Sequence, residues 1–400
     1  MKILTVNAGS SSLKFNCIEL PEQKELISGY FEKIGMNGSF YNIKINGSKT
    51  KREVDLKDHT IAIKYLIEEL LSNNIIKSLD EIDGVGHRLV HGGDKYKESV
   101  LITDEVIETV KELSSLAPLH NPANIMGVEA FKKALPNTPM VGVFDTSFHQ
   151  TLEESEFLYP VPYEWYEKYG IRKYGFHGTS HKYITKKVQE KLQKENVNII
   201  NCHIGSGGSI CCIKNGKSIA TTMGFSPNSG IMMGTRCGDI DYSIIPYYME
   251  KTGKDLKEVD TILNKQSGLL GISKLAADHR DIEEEIKIGN EQCILADKMY
   301  INAIVKYIAE YYVKLNGNVD ALVFTAGLGE NAREFRSLIV EKLHSLEIYL
   351  DEKANMNTAG FLKNGEVEAL ISSNHSNVPI YVIPTNEELM IALDTYDIIN

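Results

Sequence analysis

The sequence predicts an α/β chain made of two related halves around a phosphate-handling cleft. Three glycine turns, each carried by an apolar run of strand character, support this reading. The first is Asn7-Ala8-Gly9-Ser10-Ser11-Ser12, set between Lys2-Ile3-Leu4-Thr5-Val6 and a second run, Leu13-Lys14-Phe15. It reads as a β-hairpin whose turn offers backbone N–H groups and hydroxyls. Small residues there let a phosphate come close without side chains in the way, and Lys14 adds a point charge. The second turn is Ile204-Gly205-Ser206-Gly207-Gly208-Ser209, entered from Ile199-Ile200-Asn201-Cys202-His203 and left through Ile210-Cys211-Cys212-Ile213. The third, Ala326-Gly327-Leu328-Gly329-Glu330-Asn331, follows the strand-like residues 319–324.

The other elements fall into place along the chain. Ile63, Leu66, Ile67, Leu70 and Leu71 trace one face of a helix. Residues 82–86 and 140–144 read as buried strands. Between them Thr103 is an N-cap with Asp104 and Glu105 in the first turn, ahead of Val106, Val110 and Leu113. Around residues 145–175 the composition turns aromatic and proline-rich (Tyr159, Pro160, Pro162, Tyr163, Trp165, Tyr166), as a crossover between domains would. The second half then repeats the order of hairpin, loops and long helices. Leu295, Met299, Ile304, Ile308 and Tyr312 mark one such helix, closing at Asn316-Gly317. A late strand at 380–383 leads through Pro384-Thr385-Asn386-Glu387-Glu388 to a final helix.

Bulk composition suits a globular enzyme. At 400 residues two or three domains are expected, and 24% charged with 42% hydrophobic residues is ordinary for a globular chain. A net charge of −11 argues against nucleic acid or an anionic membrane as a partner, since neither attracts an acidic protein. No apolar run approaches the ~20 residues that span a bilayer. The stretch after Lys2 is too short for a signal peptide, so a cytoplasmic location is expected. Cys17, Cys202, Cys211, Cys212, Cys237 and Cys293 form no Cys-x-x-Cys pair and read as buried, reduced thiols. His87 with His91, and His177 with His181, have the spacing of a metal-binding helix but lack its glutamate. Their flanking Gly92, Gly93 and Gly178 favour turns.

Several polar residues stand out. Arg88 lies in His87-Arg88-Leu89-Val90-His91-Gly92-Gly93, and Arg236 in Met233-Gly234-Thr235-Arg236-Cys237-Gly238-Asp239. A guanidinium beside glycines suits bidentate binding of carboxylate or phosphate. A structural salt bridge is the alternative for either one, and the phosphate turns tip the balance toward anion binding. Asp145 ends a strand, where carboxylates face the ligand crevice of α/β sheets; a helix N-cap is the other reading. His120 and His177 lie in loops. Glu387 is either a Mg²⁺-shell carboxylate or a first-turn helix acid. No Gly-x4-Gly-Lys-Ser/Thr sequence occurs, which excludes a P-loop NTPase. Gly327, Gly329 and Ala332 match the dinucleotide fingerprint, but a dehydrogenase leaves the other two turns unexplained.

Taken together these segments resemble acetate kinases. The first hairpin and the Arg88 segment are similar to the two signature motifs of that family. Phe176-His177-Gly178-Thr179-Ser180-His181, Met233-Gly234-Thr235-Arg236, the Gly327 turn and Pro384-Thr385-Asn386-Glu387-Glu388 also resemble it, in the family's order and over the whole length. The resemblance implies the actin/Hsp70/sugar-kinase architecture: two ribonuclease-H-like domains around a central cleft. Residues 1–147 plus 384–400 would form the N-terminal domain and 148–383 the C-terminal, nucleotide-binding one. It implies a cytoplasmic homodimer running the reversible reaction ATP + acetate ⇌ ADP + acetyl phosphate with Mg²⁺, Mn²⁺ being able to substitute. By the same resemblance, Asn7 and Glu387 serve Mg²⁺, and Lys14 with Ser10 and Ser12 serves the phosphates. Arg88 holds the acetate carboxylate and Asp145 is the acid/base or Mg²⁺-linked carboxylate. His177 and Arg236 stabilise the transition state, and His120 joins the catalytic set. The nucleotide falls to His203, Ile204, Gly205, Ser206, Gly207, to Asp278, His279, Arg280, and to Gly327, Leu328, Gly329, Glu330, Asn331. Val90, Leu119, Phe176 and Pro227 would enclose the acyl group.

The chemistry fits such a set. Acetate is already ionised at neutral pH, so no strong base is required. The obstacle is the approach of one anion to another, and concentrated cationic groups and N–H donors answer it. Closure of the cleft would keep water from taking the phosphoryl group. Three departures from the family pattern bear on the phosphoryl donor more than on the acceptor. Ser206 stands where the turn usually carries asparagine, Asn228-Ser229-Gly230 replaces a usual Leu-Glu-Gly, and His279 replaces an aromatic residue. A propionate kinase or a pyrophosphate-using acetate kinase are therefore the alternatives. A non-catalytic ATP-dependent chaperone or filament protein of the same superfamily is the reading from another class. It should lack the arginine pair and the acyl pocket.

Overall fold

The computed structural model describes residues 1–118, 120–358 and 368–400. The chain divides into two compact units. One comprises Met1–Gln150, Gly178–Ser180 and Asn386–Asn400; the other comprises Thr151–His177 and His181–Thr385.

In the first unit the opening apolar run is strand β1 (Lys2–Ala8), which turns at Gly9 into β2 (Ser12–Glu19). Side chains alternate across a strand, so Leu13, Phe15 and Cys17 enter the core while Lys14 stands exposed on the opposite face. β3 (Lys24–Glu32), β4 (Phe40–Ile45) and β5 (Ser48–Glu53) extend the antiparallel side. On the other side β6 (Gly84–Leu89) and β8 (Met140–Phe144) run parallel to β1, with β7 (Val100–Leu101) as a short antiparallel edge. The order is β5-β4-β3-β2-β1-β6-β8-β7. Parallel neighbours need long crossovers, supplied by the helix His59–Ser72 before β6 and by Asp104–Glu112 and Asn121–Ala134 before β8. Thr103 caps Asp104–Glu112, its hydroxyl accepting from Val106 N at 3.3 Å. Leu4, Phe15, Phe31, Leu66 and Phe131 fill the core. The closing helix, Glu387–Ile399, lies on β6 and β1. Gly86 makes that approach possible: a Cβ there would overlap Thr395 Oγ1 and sit 2.6 Å from Ile391 Cγ2.

The second unit repeats the plan. β9 (Ile199–Ile204), β10 (Gly208–Lys214) and β11 (Lys217–Thr221) are antiparallel. β12 (Ala321–Thr325) and β14 (Ile380–Val382) run parallel to β9, and β13 (Ala369–Leu370) is the antiparallel edge. The order β11-β10-β9-β12-β14-β13 matches β3-β2-β1-β6-β8-β7 strand for strand, in the same senses. The repeat read from the glycine turns is thus a repeat of topology. The helix Glu291–Lys314, capped by Asn290, buries Tyr300, Ile304, Ile308 and Tyr311.

Two local expectations are corrected. Ala326–Asn331 is a short helix set directly on the end of β12, not a turn. His177 and His181 do not both lie in a turn: His181 stands inside the helix Gly178–Leu192. His177 enters that helix at φ 57°. Gly178 follows, its N–H donating to Asp145 O at 2.8 Å, where a Cβ would overlap that oxygen. None of the six cysteines forms a disulfide; five are buried and Cys237 is half-buried. No helix among the described residues is long and apolar enough to cross a membrane.

Candidate active site

In the first unit β6 and β8 pair in parallel, which brings Arg88 beside the residue that follows β8, Asp145. Arg88 Nε donates to Asp145 Oδ1 at 3.0 Å and Nη2 to Oδ2 at 2.6 Å. The salt-bridge reading of Arg88 therefore holds, and Nη1 is the donor edge it leaves over. Asp145 is buried, while the Arg88 side chain keeps 23% exposure. Burial disfavours the Arg88 charge, but Asp145, Glu387 and Glu388 outweigh it and hold the guanidinium firmly protonated.

Asn7 and Lys14 face each other across the β1–β2 hairpin. With Arg88, Glu387 and Glu388 they line a cavity of about 20 Å³, room for one water or small ion. Glu387 opens the last helix, behind the N-cap Asn386, so it is both a first-turn acid and a cavity wall. Burial, with Asp145 and Glu388 adding repulsion against the pull of Arg88 and Lys14, pushes its carboxyl up to about 7. Among the described residues no group of three or more His, Cys, Asp or Glu could hold a metal alone.

Two asparagines that sequence reasoning missed fix this corner. Asn124 Nδ2 donates to Ala8 O at 2.8 Å while its Oδ1 accepts from Val90 N at 3.0 Å. Asn121 grips both backbone groups of His91 at 3.0 and 3.2 Å. The two amides thus tie the hairpin to the segment after Arg88. Their signal was two buried asparagines three apart on a helix otherwise packing Ile125, Val128 and Phe131. His59, also missed, bonds Gly9 O at 2.8 Å. Ser10 is exposed at the hairpin tip, and the Ser12 carbonyl accepts from Gly9 N at 2.9 Å. Val90 is buried, and His120 is the N-cap residue of Asn121–Ala134. Leu119 lies outside the described residues.

In the second unit a cavity of about 830 Å³ gathers three of the segments singled out from sequence. Gly205 and Ser206 line it, as do Asp278, His279 and Arg280, and Gly327, Leu328 and Asn331. Gly329 and Glu330 do not: Gly329 is buried and the Glu330 carboxylate accepts from Thr385 N at 3.1 Å. Asp278 caps its helix and takes Arg280 in a bidentate pair, which holds its carboxyl down to about 2. His279 bonds Asp297 at 2.7 Å and sets its ring edge-on to Phe335 at 4.8 Å. It packs as an aromatic would while turning one nitrogen to a carboxylate.

The other side of the glycine turn faces different groups. A Cβ on Gly207 would lie 3.5 Å from both Arg236 Nη atoms and 3.6 Å from His177 Cε1. Residues 205–207 thus stand between the large cavity and an arginine–histidine pair. Arg236 Nη1 also donates to Pro227 O at 2.8 Å, and burial makes its charge harder to keep. His203 stacks on His177 with centroids 4.2 Å apart; Ile204 and Phe176 are buried. Arg336, unnoticed in the sequence, is fully buried and bonds the carbonyls of Gly329 and Glu330 at 2.8 and 2.9 Å, locking the short helix in place.

The sequence model of the Acetokinase family matches residues 2–393. The chain belongs to the acetokinase family. It is 51% identical over 395 residues to the acetate kinase of Bacillus cytotoxicus, covering 98% of each chain. With that of Geobacillus sp. it shares 50% over 401 residues, covering 100% of this chain and 99% of the other. The crystal structure of Porphyromonas gingivalis acetate kinase superposes with a TM-score of 0.93 at 44% identity, over 100% of both chains. A propionate kinase from Francisella tularensis gives a TM-score of 0.93 at 39% identity, over 99% of each. The fold is that of these acetokinase-family structures, the mixed α/β actin/Hsp70/sugar-kinase type with two sheets. Enzymes of the acetokinase family are phosphotransferases that pair ATP/ADP with a carboxyl-group acceptor.

Proposed function

We propose that the chain is an acetate kinase that catalyses ATP + acetate ⇌ ADP + acetyl phosphate. One observation carries this reading: the 205–207 turn separates a nucleoside-sized cavity from Arg236 and His177. A triphosphate lying along such a turn presents its terminal phosphoryl group to a cation and an imidazole. An anion joining Arg236 offsets the burial that works against its charge, and His177 donates a hydrogen bond; both act where negative charge spreads in the transition state. Asp278, His279, Arg280 and the helix Ala326–Asn331 hold the nucleoside end. In the first unit, Nη1 of Arg88 takes the acetate carboxylate while Asp145 keeps the guanidinium oriented. Lys14 with the Ser10 and Ser12 hydroxyls serves the phosphates, and His120 assists the transfer. The methyl group falls to Val90 of the first unit and to Phe176 and Pro227 of the second.

Mg²⁺ fits the small cavity beside Asn7 and Glu387. A carboxyl poised near neutrality is one whose charge wants a cation, and Mg²⁺ commonly takes only one or two protein carboxylates, finding its other ligands in water and phosphate. Bound there, it would neutralise charge on the phosphates. A homodimer in the cytoplasm completes the proposal; exposed Tyr242, Ile244, Tyr247 and Leu256 offer apolar surface for a second copy. The test is a hydroxamate assay for acyl phosphate across a panel of acids and donors. Acetate with MgATP should lead, propionate should follow and butyrate should be poor, since one methylene is worth about 1–3 kcal/mol in a pocket. Absence of acyl phosphate with every acid would sink the proposal.

A further inference from the structure

β9 is buried throughout and β10 is buried up to Lys214, yet Asn201, His203 and Ser209 put polar side chains inside them. Ser209 is fully buried and makes two side-chain hydrogen bonds, to His177 Nδ1 at 2.9 Å and to His181 Nε2 at 2.8 Å. On the far side of His181, Asn201 Nδ2 meets Nδ1 at 2.8 Å. Proton positions along this row follow from donor chemistry. An amide nitrogen can only donate, so His181 Nδ1 carries a lone pair and the proton of a neutral His181 sits on Nε2. That proton goes to Ser209 Oγ. Ser209 in turn donates its own proton to His177 Nδ1, which leaves the proton of a neutral His177 on Nε2.

We propose that Asn201, His181 and Ser209 are positioning residues, a hydrogen-bonded chain that holds His177 as its Nε2–H tautomer so that it donates to the transferring phosphoryl group. Ser209 occupies the in-plane direction of Nδ1, so any hydrogen bond from His177 to the reacting group runs through Nε2. With the Asn201 amide turned about, every bond would reverse. Nε2 would then be bare and would repel a phosphoryl oxygen. His203, stacked on the His177 ring, limits the remaining rotation. The inference rests on the proposed role of His177 in the transition state.

The experiment combines NMR of ¹⁵N-histidine-labelled protein with steady-state kinetics. The His177 signals, assigned by their loss in His177→Gln, should show a protonated Nε2 and a bare Nδ1. Ser209→Ala should lower kcat by about 10- to 100-fold, as loss of an orienting partner does. The KM values for acetate and ATP should stay within about threefold, since the interaction is realised in the transition state, and Ser209→Thr should restore turnover. A protonated Nδ1 on wild-type His177 overturns the chain, as does a Ser209→Ala kcat within about threefold of wild type. If Ser209→Ala does not fold, the wild-type spectrum still decides. An active His177→Gln would sink the reading of His177 itself, whereas an inactive His177→Gln beside an active Ser209→Ala would sink the chain alone.

Discussion

Arg88 meets a carboxylate within its own unit, and the pairing divides its donors between two tasks. Asp145 consumes Nε and Nη2, which sets the plane of the guanidinium, and under the proposed function Nη1 takes the acetate carboxylate. Arg236 meets no such carboxylate among the described residues; its Nη1 bonds the Pro227 carbonyl and Met233 Sδ, and burial works against its charge. Arg88→Ala and Arg236→Ala should therefore both reduce kcat/KM by roughly 10²–10⁵, the range for removed transition-state donors. Arg236 should act mainly on kcat, whereas Arg88 should also raise the acetate KM. Steady-state kinetics on folded variants checks this. A different prediction concerns His87, buried in β6 with its ring edge-on to Phe131 at 5.4 Å. Burial favours the neutral ring and lowers its pKa to about 3, against ~6.5 in an unfolded chain. Between those values the unfolded state binds more protons, so the stability held by neutral His87 is present above about pH 6.5 and drains away as pH falls toward 3. His87→Gln should lose less Tm than wild type between pH 7 and pH 5, whatever its starting stability. Parallel Tm-versus-pH curves for the two proteins would refute this.

At the scale of elements, legibility followed the range of the signal. The hairpins at Gly9 and Gly205 were readable because alternation and a glycine turn are local properties. So were the Thr103 cap and the long helix Glu291–Lys314, which stops just before Asn316-Gly317. The segment Ala326–Asn331 was misread, since glycines resemble a turn and the residue that fixes the helix, Arg336, is tied to it only by the fold. The same limit applies at His279, whose partner Asp297 lies on another helix, and at Ser209, whose polarity makes sense only beside two histidines. Arg88 and Asp145 could be named singly; their pairing depends on the β6–β8 register. The closing helix is another long-range dependence. It carries Glu387 and rests on β6 where Gly86 leaves no room for a side chain. Gly86→Ala should cost about 1–3 kcal/mol by overpacking. If the helix shifts to relieve it, the Mg²⁺ concentration for half-maximal activity should rise as well. Denaturant unfolding and a Mg²⁺ titration would measure the two effects, and a variant unchanged in both would remove Gly86 from this account.

The whole molecule uses one topology twice with different equipment. The first unit carries a cavity of about 20 Å³ among Asn7, Lys14, Arg88, Glu387 and Glu388. The second carries about 830 Å³ at the corresponding hairpin. That difference bears on the phosphoryl donor, where the sequence departs from the family pattern. Pyrophosphate would leave most of the larger cavity empty, whereas a nucleoside would reach Asp278, His279 and Arg280. Ser206 does not undo the 205–207 turn, because the turn is closed by its backbone. Gly205 N donates to Gly207 O at 3.0 Å, and the Ser206 carbonyl accepts from Gly234 N at 3.2 Å. His279 keeps an aromatic packing role beside Phe335. ATP should therefore be the better donor and pyrophosphate clearly inferior. Ser206→Asn should be tolerated, with kcat and the ATP KM each within about threefold of wild type, since side-chain identity there leaves both backbone bonds in place. Acetyl phosphate formation from each donor at matched concentration is the measurement. Faster formation from pyrophosphate would mean that the large cavity is not the donor site, and that the altered turn marks a change of donor.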